Sequence, residues 1–410
     1  MTPAPDSPRP AVVVALGLAQ TLAWASTFYL PAMLAVPMAR DIGIAAPTVY
    51  ALLSMALVIS ALLGPWAGRL IDRHGGRPVL MACSVGFALG LGVLASAQGL
   101  ATLVLAWALL GVAMGFGLYD AAFAALVRLY GAGARNGITG ITLLAGFAST
   151  VGWPLTALLE VQWGWRGACV AWAALHLVLA LPLHALLPGL ADRPAPVRLG
   201  EAAPLPVAAP GRADRSVPIP ARMVLLASIF ALMSVVSTGL ATHLPAVLQA
   251  AGATLAVAVA TAALMGPAQV AARLVELGLM RRRSPLLTAR AAALGHPLAV
   301  LLLWVLGPAG ALPFAIVHGL GNGLVTIVRG TLPLALFGAV GYGARQGWLT
   351  LPARLLGALS PWLFGLALAR WGLGALGLSA LLALVALAGL LWLRLPPAAS
   401  GPARAAVERG

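Results

Sequence analysis

The amino-acid sequence predicts an all-α polytopic membrane protein with twelve transmembrane helices in two six-helix bundles. Of its 410 residues, 61% are hydrophobic and only 9% are charged, and the mean hydropathy of +0.98 excludes a soluble domain of this size. Twelve apolar runs follow one another, each near the length of about 20 residues that a bilayer-spanning helix needs. A proline-rich segment separates the first six runs from the last six.

The apolar runs divide the chain into two bundles and three polar segments. A short tail at 1–10 precedes the first bundle, 11–187, whose first run is too long for a signal-peptide core. The predicted spans of this bundle are 11–38, 49–71, 79–97, 100–126, 138–159 and 167–187. After the linker at 188–220, the second bundle (221–394) has predicted spans at 221–249, 254–280, 285–306, 310–337, 344–369 and 372–394, and a tail at 395–410 follows.

The basic residues predict the orientation in the membrane. All 25 are arginine, which is typical of a GC-rich bacterial genome, and 19 fall on segments that lie on the same side as the N-terminus. Only Arg40, Arg166 and Arg370 fall on the opposite side, so both termini are expected in the cytoplasm of a bacterial inner-membrane protein. The tryptophans at 163, 165 and 371 are then expected at the outer interface. The net charge of +15 is scattered between apolar runs, which argues against nucleic-acid binding.

A charged turn between the second and third spans carries the clearest motif. The stretch 64–78 reads GPWAGRLIDRHGGRP, and its pattern Gly-x-x-x-Asp-Arg-x-Gly-x-Arg is filled by Gly68, Asp72, Arg73, Gly75 and Arg77. The glycines favour a tight turn and close helix approach. An ordinary positively charged cytoplasmic loop is the alternative interpretation.

This motif resembles the loop between helices 2 and 3 of major facilitator superfamily transporters, and the resemblance to that family covers about residues 11–394. It implies two pseudo-symmetric six-helix bundles that rock around a central site, and a loop that acts in the conformational change. Gly76 is a departure, because the family usually has a second basic residue there.

Three arginines lie inside predicted spans of the second bundle: Arg273, Arg329 and Arg354. A charge at the membrane centre costs about 2.5–3.5 kcal/mol or more, so each is expected to face a cavity or a partner. Arg354 lies about 15 Å into its span, near mid-membrane, on one polar stripe with Gln346 and Thr350. Arginine binds carboxylates through two parallel hydrogen bonds, so these residues favour an anionic substrate.

Arg329 ends a second polar stripe, which predicts a water-lined helix face. The stripe consists of His318, Asn322, Thr326 and Arg329, spaced four, four and three residues apart. The alternative is that Arg329 extends to the cytoplasmic interface and only its aliphatic stem is buried.

Two acids are candidates for proton coupling. Asp120 is the only acid within the spans of the first bundle, and it is predicted to be a proton carrier, a cation ligand or an ion-pair partner for an arginine across the cavity. A structural pair with a neighbouring helix is the alternative. Glu276 follows Arg273 by three residues and is expected either to couple protons or to pair with that arginine.

Two shorter stretches, 115–168 and 264–276, resemble the monocarboxylate and oxalate/formate porter branch of the superfamily. That branch carries Asp-x-x-x-Arg in the eighth span, where the arginine binds a carboxylate and the aspartate takes part in proton coupling. The matching residues here are Gln269 and Arg273, so the resemblance implies that the arginine is kept and that this proton site is absent.

The family resemblance also implies that the first, fourth, seventh and tenth helices line the cavity. Gln20, Trp24 and His243 are therefore candidate lining residues, and ordinary packing is the alternative for each. Cys83 and Cys169 lie in apolar runs without metal or disulfide spacing, so no metal or other cofactor is expected.

The leading functional prediction is a secondary active transporter, acting as a monomer, of a small organic anion, with possible coupling to protons. The alternative within transport is efflux of an apolar or cationic drug or metabolite. A membrane-embedded sensor or enzyme is the alternative of another class. An enzyme is disfavoured because the chain has no HExxH, Gly-x-Ser-x-Gly or nucleotide-binding loop motif.

Overall fold

The computed structural model describes residues 8–130, 134–189, 219–276, 284–337 and 342–394, and these residues form helices joined by short turns. The linker predicted at 188–220 lies almost entirely outside the described residues. The first half of the chain contains α1 (Pro10–Ser26), α2 (Pro31–Ile42), α3 (Ala46–His74), α4 (Gly76–Ala95), α5 (Leu100–Gly117), α6 (Tyr119–Tyr130), α7 (Ala134–Ala145), α8 (Ala148–Leu175) and α9 (Leu181–Ala185).

The second half contains seven helices and two short 3₁₀ turns, at Gly307–Gly310 and Gly372–Gly374. The helices are α10 (Ile219–Ala250), α11 (Leu255–Ala263), α12 (Met265–Val275), α13 (Pro285–Leu306), α14 (Ala311–Phe337), α15 (Tyr342–Trp371) and α16 (Ala375–Trp392).

The described helices are consistent with twelve membrane crossings. They form nine continuous apolar stretches, and three of these, with 49, 53 and 44 residues, are long enough for two crossings each. The first of the three reverses within α8 at Gly164, whose φ of 69° suits glycine, and the other two reverse at the 3₁₀ turns. The all-α membrane fold that the composition predicted is therefore confirmed.

Four predicted spans are each built from two helices, which the hydropathy pattern did not indicate. These are the first (α1 and α2), the fourth (α5 and α6), the fifth (α7 and α8) and the eighth (α11 and α12). At two of the breaks a polar side chain binds a carbonyl at the helix end: Gln20 Nε2 donates to Gly117 O at 2.7 Å, and Thr150 Oγ1 donates to Ala263 O at 2.7 Å. Broken helices at membrane depth are tolerated because the freed backbone groups find such partners.

Buried apolar residues form three clusters, and one of them joins the two halves. The first cluster lies within α1–α9 and the third within the second half. In the joining cluster, Phe28 and Trp153 from the first half pack with Leu240, Leu244 and Phe364 from the second. The two halves therefore share one apolar core.

The charged loop is a sharp turn between α3 and α4. Gly75 forms it with φ 84°, and Asp72, Arg73 and Arg77 around it are exposed. The expected close helix approach occurs at Gly76, where an added Cβ would lie 3.0 Å from the Cα atom of Ala125 in α6. A Cβ added at Gly68 would have no neighbour within 4 Å, so no other helix packs closely against Gly68 in the described arrangement.

One of the tryptophans expected at the outer interface has a different position. Trp163 and Trp371 are exposed, whereas Trp165 is buried, and its indole N–H donates to Asp41 Oδ2 at 3.2 Å. Arg166 forms an ion pair with the same carboxylate and donates to Ala97 O at 2.7 Å. Trp165 therefore ties together the outer turns of the first half and does not belong to an aromatic belt.

Candidate functional site

Charged side chains from both halves meet in an exposed region around Asp120 and Arg354, which we name the charged cavity. Asp120 at the start of α6 and Arg354 in the middle of α15 form an ion pair, with 3.3 Å between Asp120 Oδ2 and Arg354 Nη1. The two side chains remain 59% and 50% exposed, so they face open space and are not enclosed by packing. An arginine and an aspartate from different halves are thus direct partners, which is one of the roles that the sequence left open for Asp120.

The break in the fourth span determines the environment of Asp120. Because α5 ends at Gly117 and α6 begins at Tyr119, Asp120 stands in the first turn of a new helix. The amide groups of Ala121 and Ala122 both donate to Leu118 O at 3.1 Å, so the first turn of α6 is well formed. A helix N-terminus carries a partial positive charge, which favours an anionic group at this point of the cavity.

Arg273 lies at a second contact between the halves. Its Nη1 donates to the backbone O of Thr142 at 3.0 Å, near the end of α7 at Ala145. Carbonyl groups in the last turn of a helix carry partial negative charge, so they attract the guanidinium. Arg273 Nε is buried with no hydrogen-bond partner among the described residues, and Tyr29 and Tyr119 are close enough to act on its charge.

Arg329 is half-buried in α14, and the charge of Arg354 acts on it. Arg354 therefore has a second arginine of the second half near it, and Arg273 adds a third positive charge at another contact between the halves. Asp120 is the carboxylate that pairs with Arg354. The excess of positive charge in this region suits a negatively charged solute.

An aromatic group stands beside Asp120 on the first-half side. The ring centroids of Trp24 and Tyr119 are 5.1 Å apart, and Tyr119 stacks on Phe123 at 5.3 Å. The indole Nε1 of Trp24 is buried without a hydrogen-bond partner among the described residues. The group provides an apolar wall, and the indole N–H is a free donor.

Several predicted candidates lie away from the charged cavity. Gln20 is fully buried, with its amide N–H used at the break in the fourth span. His243 lies at a contact between the halves, where its ring stacks on Tyr50 with 3.9 Å between the ring centroids. Gln269 is buried where its backbone is closely approached by Gly323 of α14, and Glu276 is buried at the inner end of α12.

The polar stripe of the tenth span does not line one water-filled face, as the spacing suggested. His318 is buried and, with half-buried Asn322, lines a small cavity inside the second-half bundle, whereas Thr326 is exposed and Arg329 lies near Arg354. Over this part of its length α14 packs against both neighbours, with α13 at His318 and Gly321 and α12 at Gly319 and Gly323, so His318 is enclosed within the bundle.

Sequence reasoning missed Tyr29, Tyr119 and His296. Tyr119 directly precedes Asp120, and Phe123 follows one helical turn later on the same face, whereas Trp24 comes from a different span. His296 is an isolated polar residue in the apolar ninth span, which was a usable signal. Within the described ranges no group of three or more His, Cys, Asp or Glu side chains is placed to hold a metal ion.

Comparisons with known proteins agree with this architecture. The family model described as Major Facilitator Superfamily matches residues 16–339. A crystal structure of a mutant of the nucleoside transporter NupG superposes with a TM-score of 0.74 at 13% identity, covering 93% of this chain and 99% of that one. A crystal structure of a bacterial homologue of the human lysosomal transporter Spinster, in an inward-facing and occupied conformation, superposes with a TM-score of 0.65 at 15% identity. This match covers 94% of this chain and 95% of that one.

No curated protein sequence matches the chain significantly. The structural likenesses are below 25% identity, so they establish the fold and carry no information about the substrate. The family match covers more than half of the chain and includes helices from α1 to α14. The chain therefore belongs to the Major Facilitator Superfamily and is a membrane transporter rather than an enzyme.

Proposed function

We propose that this transporter carries a small organic anion across a bacterial inner membrane by alternating access, with both termini in the cytoplasm. The balance of charge supports the anion: Arg354 pairs with Asp120, Arg329 lies near Arg354, and Arg273 adds positive charge at another contact between the halves. A carboxylate substrate would bind guanidinium groups through paired N–H···O bonds, which are stronger and more directional than contacts to a single ammonium.

The ion pair between Asp120 and Arg354 is the observation that carries this proposal. In the described arrangement the Asp120 carboxylate contacts Nη1 of Arg354, a nitrogen that a substrate carboxylate would also bind. Both groups are about half exposed, so water and solute reach them. A bound anion competes with Asp120 for Arg354, and the released carboxylate becomes free to take up a proton.

This competition provides a route to proton coupling. Asp120 is the first coupling candidate, because an anion that binds Arg354 removes the cationic partner of this carboxylate. Glu276, buried at the end of α12, is the second coupling candidate. Gln269 cannot titrate, so the proton site of the monocarboxylate and oxalate/formate branch is replaced in this proposal.

The second candidate function is efflux of an apolar or cationic compound. The wall formed by Trp24, Tyr119 and Phe123 favours it, because aromatic faces bind apolar groups and organic cations. In that case Asp120 would be the substrate ligand, and the arginines would only balance its charge.

Uptake by purified protein in sealed proteoliposomes tests the proposal. The panel consists of radiolabelled monocarboxylates, dicarboxylates and inorganic oxyanions, together with nucleosides and lipophilic cations as the competing classes. We expect saturable uptake of at least one organic anion and none of the cations. Saturable transport of a cation or a nucleoside alone would overturn the assignment of an anionic substrate.

Arginine-to-lysine variants then locate the site. Arg354→Lys and Arg273→Lys keep the charge but lose the planar fork, so we expect anion affinity to fall at least tenfold. Arg329→Lys is expected to matter less, since half-buried Arg329 acts there through its charge. Arg370→Lys, exposed at the outer end of α15, is the matched control and should leave affinity unchanged. Equal effects at Arg354 and Arg370 would exclude a specific role for Arg354.

A further inference from the structure

Two buried histidines are hydrogen-bonded to each other inside the second-half bundle. His296 of α13 and His318 of α14 have their Nδ1 atoms 3.1 Å apart, and both rings are almost completely buried. On its other side, His296 Nε2 lies 2.9 Å from Ser379 Oγ of α16. The pair is separate from the charged cavity, and the proposed anion site does not use it.

The hydrogen bonds around the pair fix which nitrogens carry protons. Ser379 Oγ donates to Leu376 O at 3.0 Å, so towards His296 it accepts, and His296 Nε2 carries a proton. A neutral imidazole has one N–H and one acceptor nitrogen, so His296 Nδ1 is the acceptor and His318 Nδ1 is the donor. His318 Nε2 then has no proton.

That remaining nitrogen is an unused acceptor. His318 Nε2 is buried and has no hydrogen-bond partner within the described residues. His318 and His296 line a small cavity, with room for water rather than for an organic solute, together with Ser237 and Asn322. Ser237 Oγ donates to Asn322 Oδ1, so these side chains form a polar border next to the bare nitrogen.

Among the described residues that line the cavity, the two histidines are the only titratable groups. Four helices surround the pair. Helix α10 contributes apolar side chains and Ser237, and α13 contributes alanines. Helix α14 contributes Phe314, Gly321, Asn322 and Val325, and α16 contributes Ser379 and Ala383. Among these residues there is no carboxylate and no arginine. A proton that enters this cavity therefore has one acceptor available, His318 Nε2.

We propose that His296 and His318 form a proton-binding site within the second-half bundle. A proton from water in the cavity adds to His318 Nε2, and the ring becomes an imidazolium whose Nδ1–H still donates to His296 Nδ1. That bond becomes charge-assisted and therefore stronger, and Ser379 and the Leu376 carbonyl extend it. The site can hold a proton while Asp120 is engaged by Arg354, and it does not depend on an anionic substrate.

Nitrogen NMR of the protein in lipid nanodiscs tests the proposal directly. The chain contains only six histidines, so ¹⁵N-histidine labelling gives a small set of signals. At about pH 8 we expect two neutral rings joined by an N–H···N bond, visible as a coupling between the two nitrogens, with a bare Nε2 on one ring. Lowering the pH towards about 4 should convert the pair to one imidazolium that keeps this coupling.

Two variants assign the signal. His318→Gln should abolish the imidazolium, and His184→Gln, which removes a buried histidine bonded to Ser84 in the first half, should leave it intact. If His318→Gln does not fold, the nitrogen–nitrogen coupling in the unmodified protein still identifies the pair. Two rings that remain neutral over this pH range in folded protein would overturn the proposal, whatever the transport assays show.

Discussion

Replacing Asp120 with asparagine should tighten, not weaken, the binding of an anionic substrate. In the described arrangement the Asp120 carboxylate pairs with the Arg354 guanidinium, and a substrate anion must displace this carboxylate. Asparagine keeps the size of the side chain but removes the competing charge. The same change also removes the one carboxylate that offsets Arg329 and Arg354, so the cavity becomes more positive.

The size of this effect follows from the geometry of the ion pair. At 3.3 Å two full charges in bulk water attract each other by about 1.3 kcal/mol. Pairs between exposed side chains contribute about 0.2–1 kcal/mol in practice, and these side chains are 59% and 50% exposed. Removing the competitor should therefore tighten anion binding by at most about fivefold, since about 1.4 kcal/mol corresponds to a factor of ten.

Equilibrium binding of the transported anion to purified protein measures this change. The matched control is Glu160→Gln, which removes a half-buried carboxylate of α8, outside the charged cavity. The gain in affinity for Asp120→Asn should shrink with added salt, because exposed charges are screened. Weaker binding in Asp120→Asn than in the unmodified protein would refute the competition argument.

Four further predictions test other parts of the structure. The Asp120→Asn variant should exchange anion across the membrane but fail to accumulate it under a pH gradient. Normal accumulation would exclude proton coupling through Asp120, and coupling through Glu276 or a uniport mechanism would then explain transport. Asp72→Asn should slow transport in vesicles without reducing the amount of inserted protein; an unchanged rate would make the loop a topology signal only. A cysteine at Gln98 should react with an impermeant thiol reagent from outside, and one at Pro204 should not; the reverse pattern would invert the orientation. Gly76→Ala should lower the free energy of unfolding by about 1–3 kcal/mol through overpacking, and the melting temperature should fall with it. Gly68→Ala should leave the melting temperature unchanged, because an added Cβ there has no neighbour within 4 Å.

The fold was predictable because membrane insertion depends on local composition. Runs of apolar residues long enough to span a bilayer are a property of the sequence itself, and so is the bias of arginine towards one set of loops. The charged loop at Gly75 was predictable for a similar reason, since a tight turn between two spans needs a residue that tolerates positive φ. The breaks at Gly117 and Ala263 were not, because polar side chains of other helices satisfy the freed carbonyl groups.

The candidate site was only partly predictable. The high cost of a charge in the membrane identified Arg273, Arg329, Arg354 and Asp120 as residues that need a cavity or a partner. It could not select the partner, because that depends on how the helices are rotated and which faces meet. The same limit applies to His318, whose spacing suggested a water-lined face shared with Arg329.

The sequence by itself determined which segments are apolar enough to cross the membrane and that positive charge dominates the predicted spans of the second half. Only the tertiary structure decided that Asp120 pairs with Arg354, that Arg273 reaches the end of α7, and that His318 pairs with His296. The physical reason is that transfer into the bilayer is a sum over neighbouring residues of one segment. A hydrogen bond or an ion pair instead requires two side chains, distant in sequence, to be placed within about 3 Å of each other by the packing of separate helices.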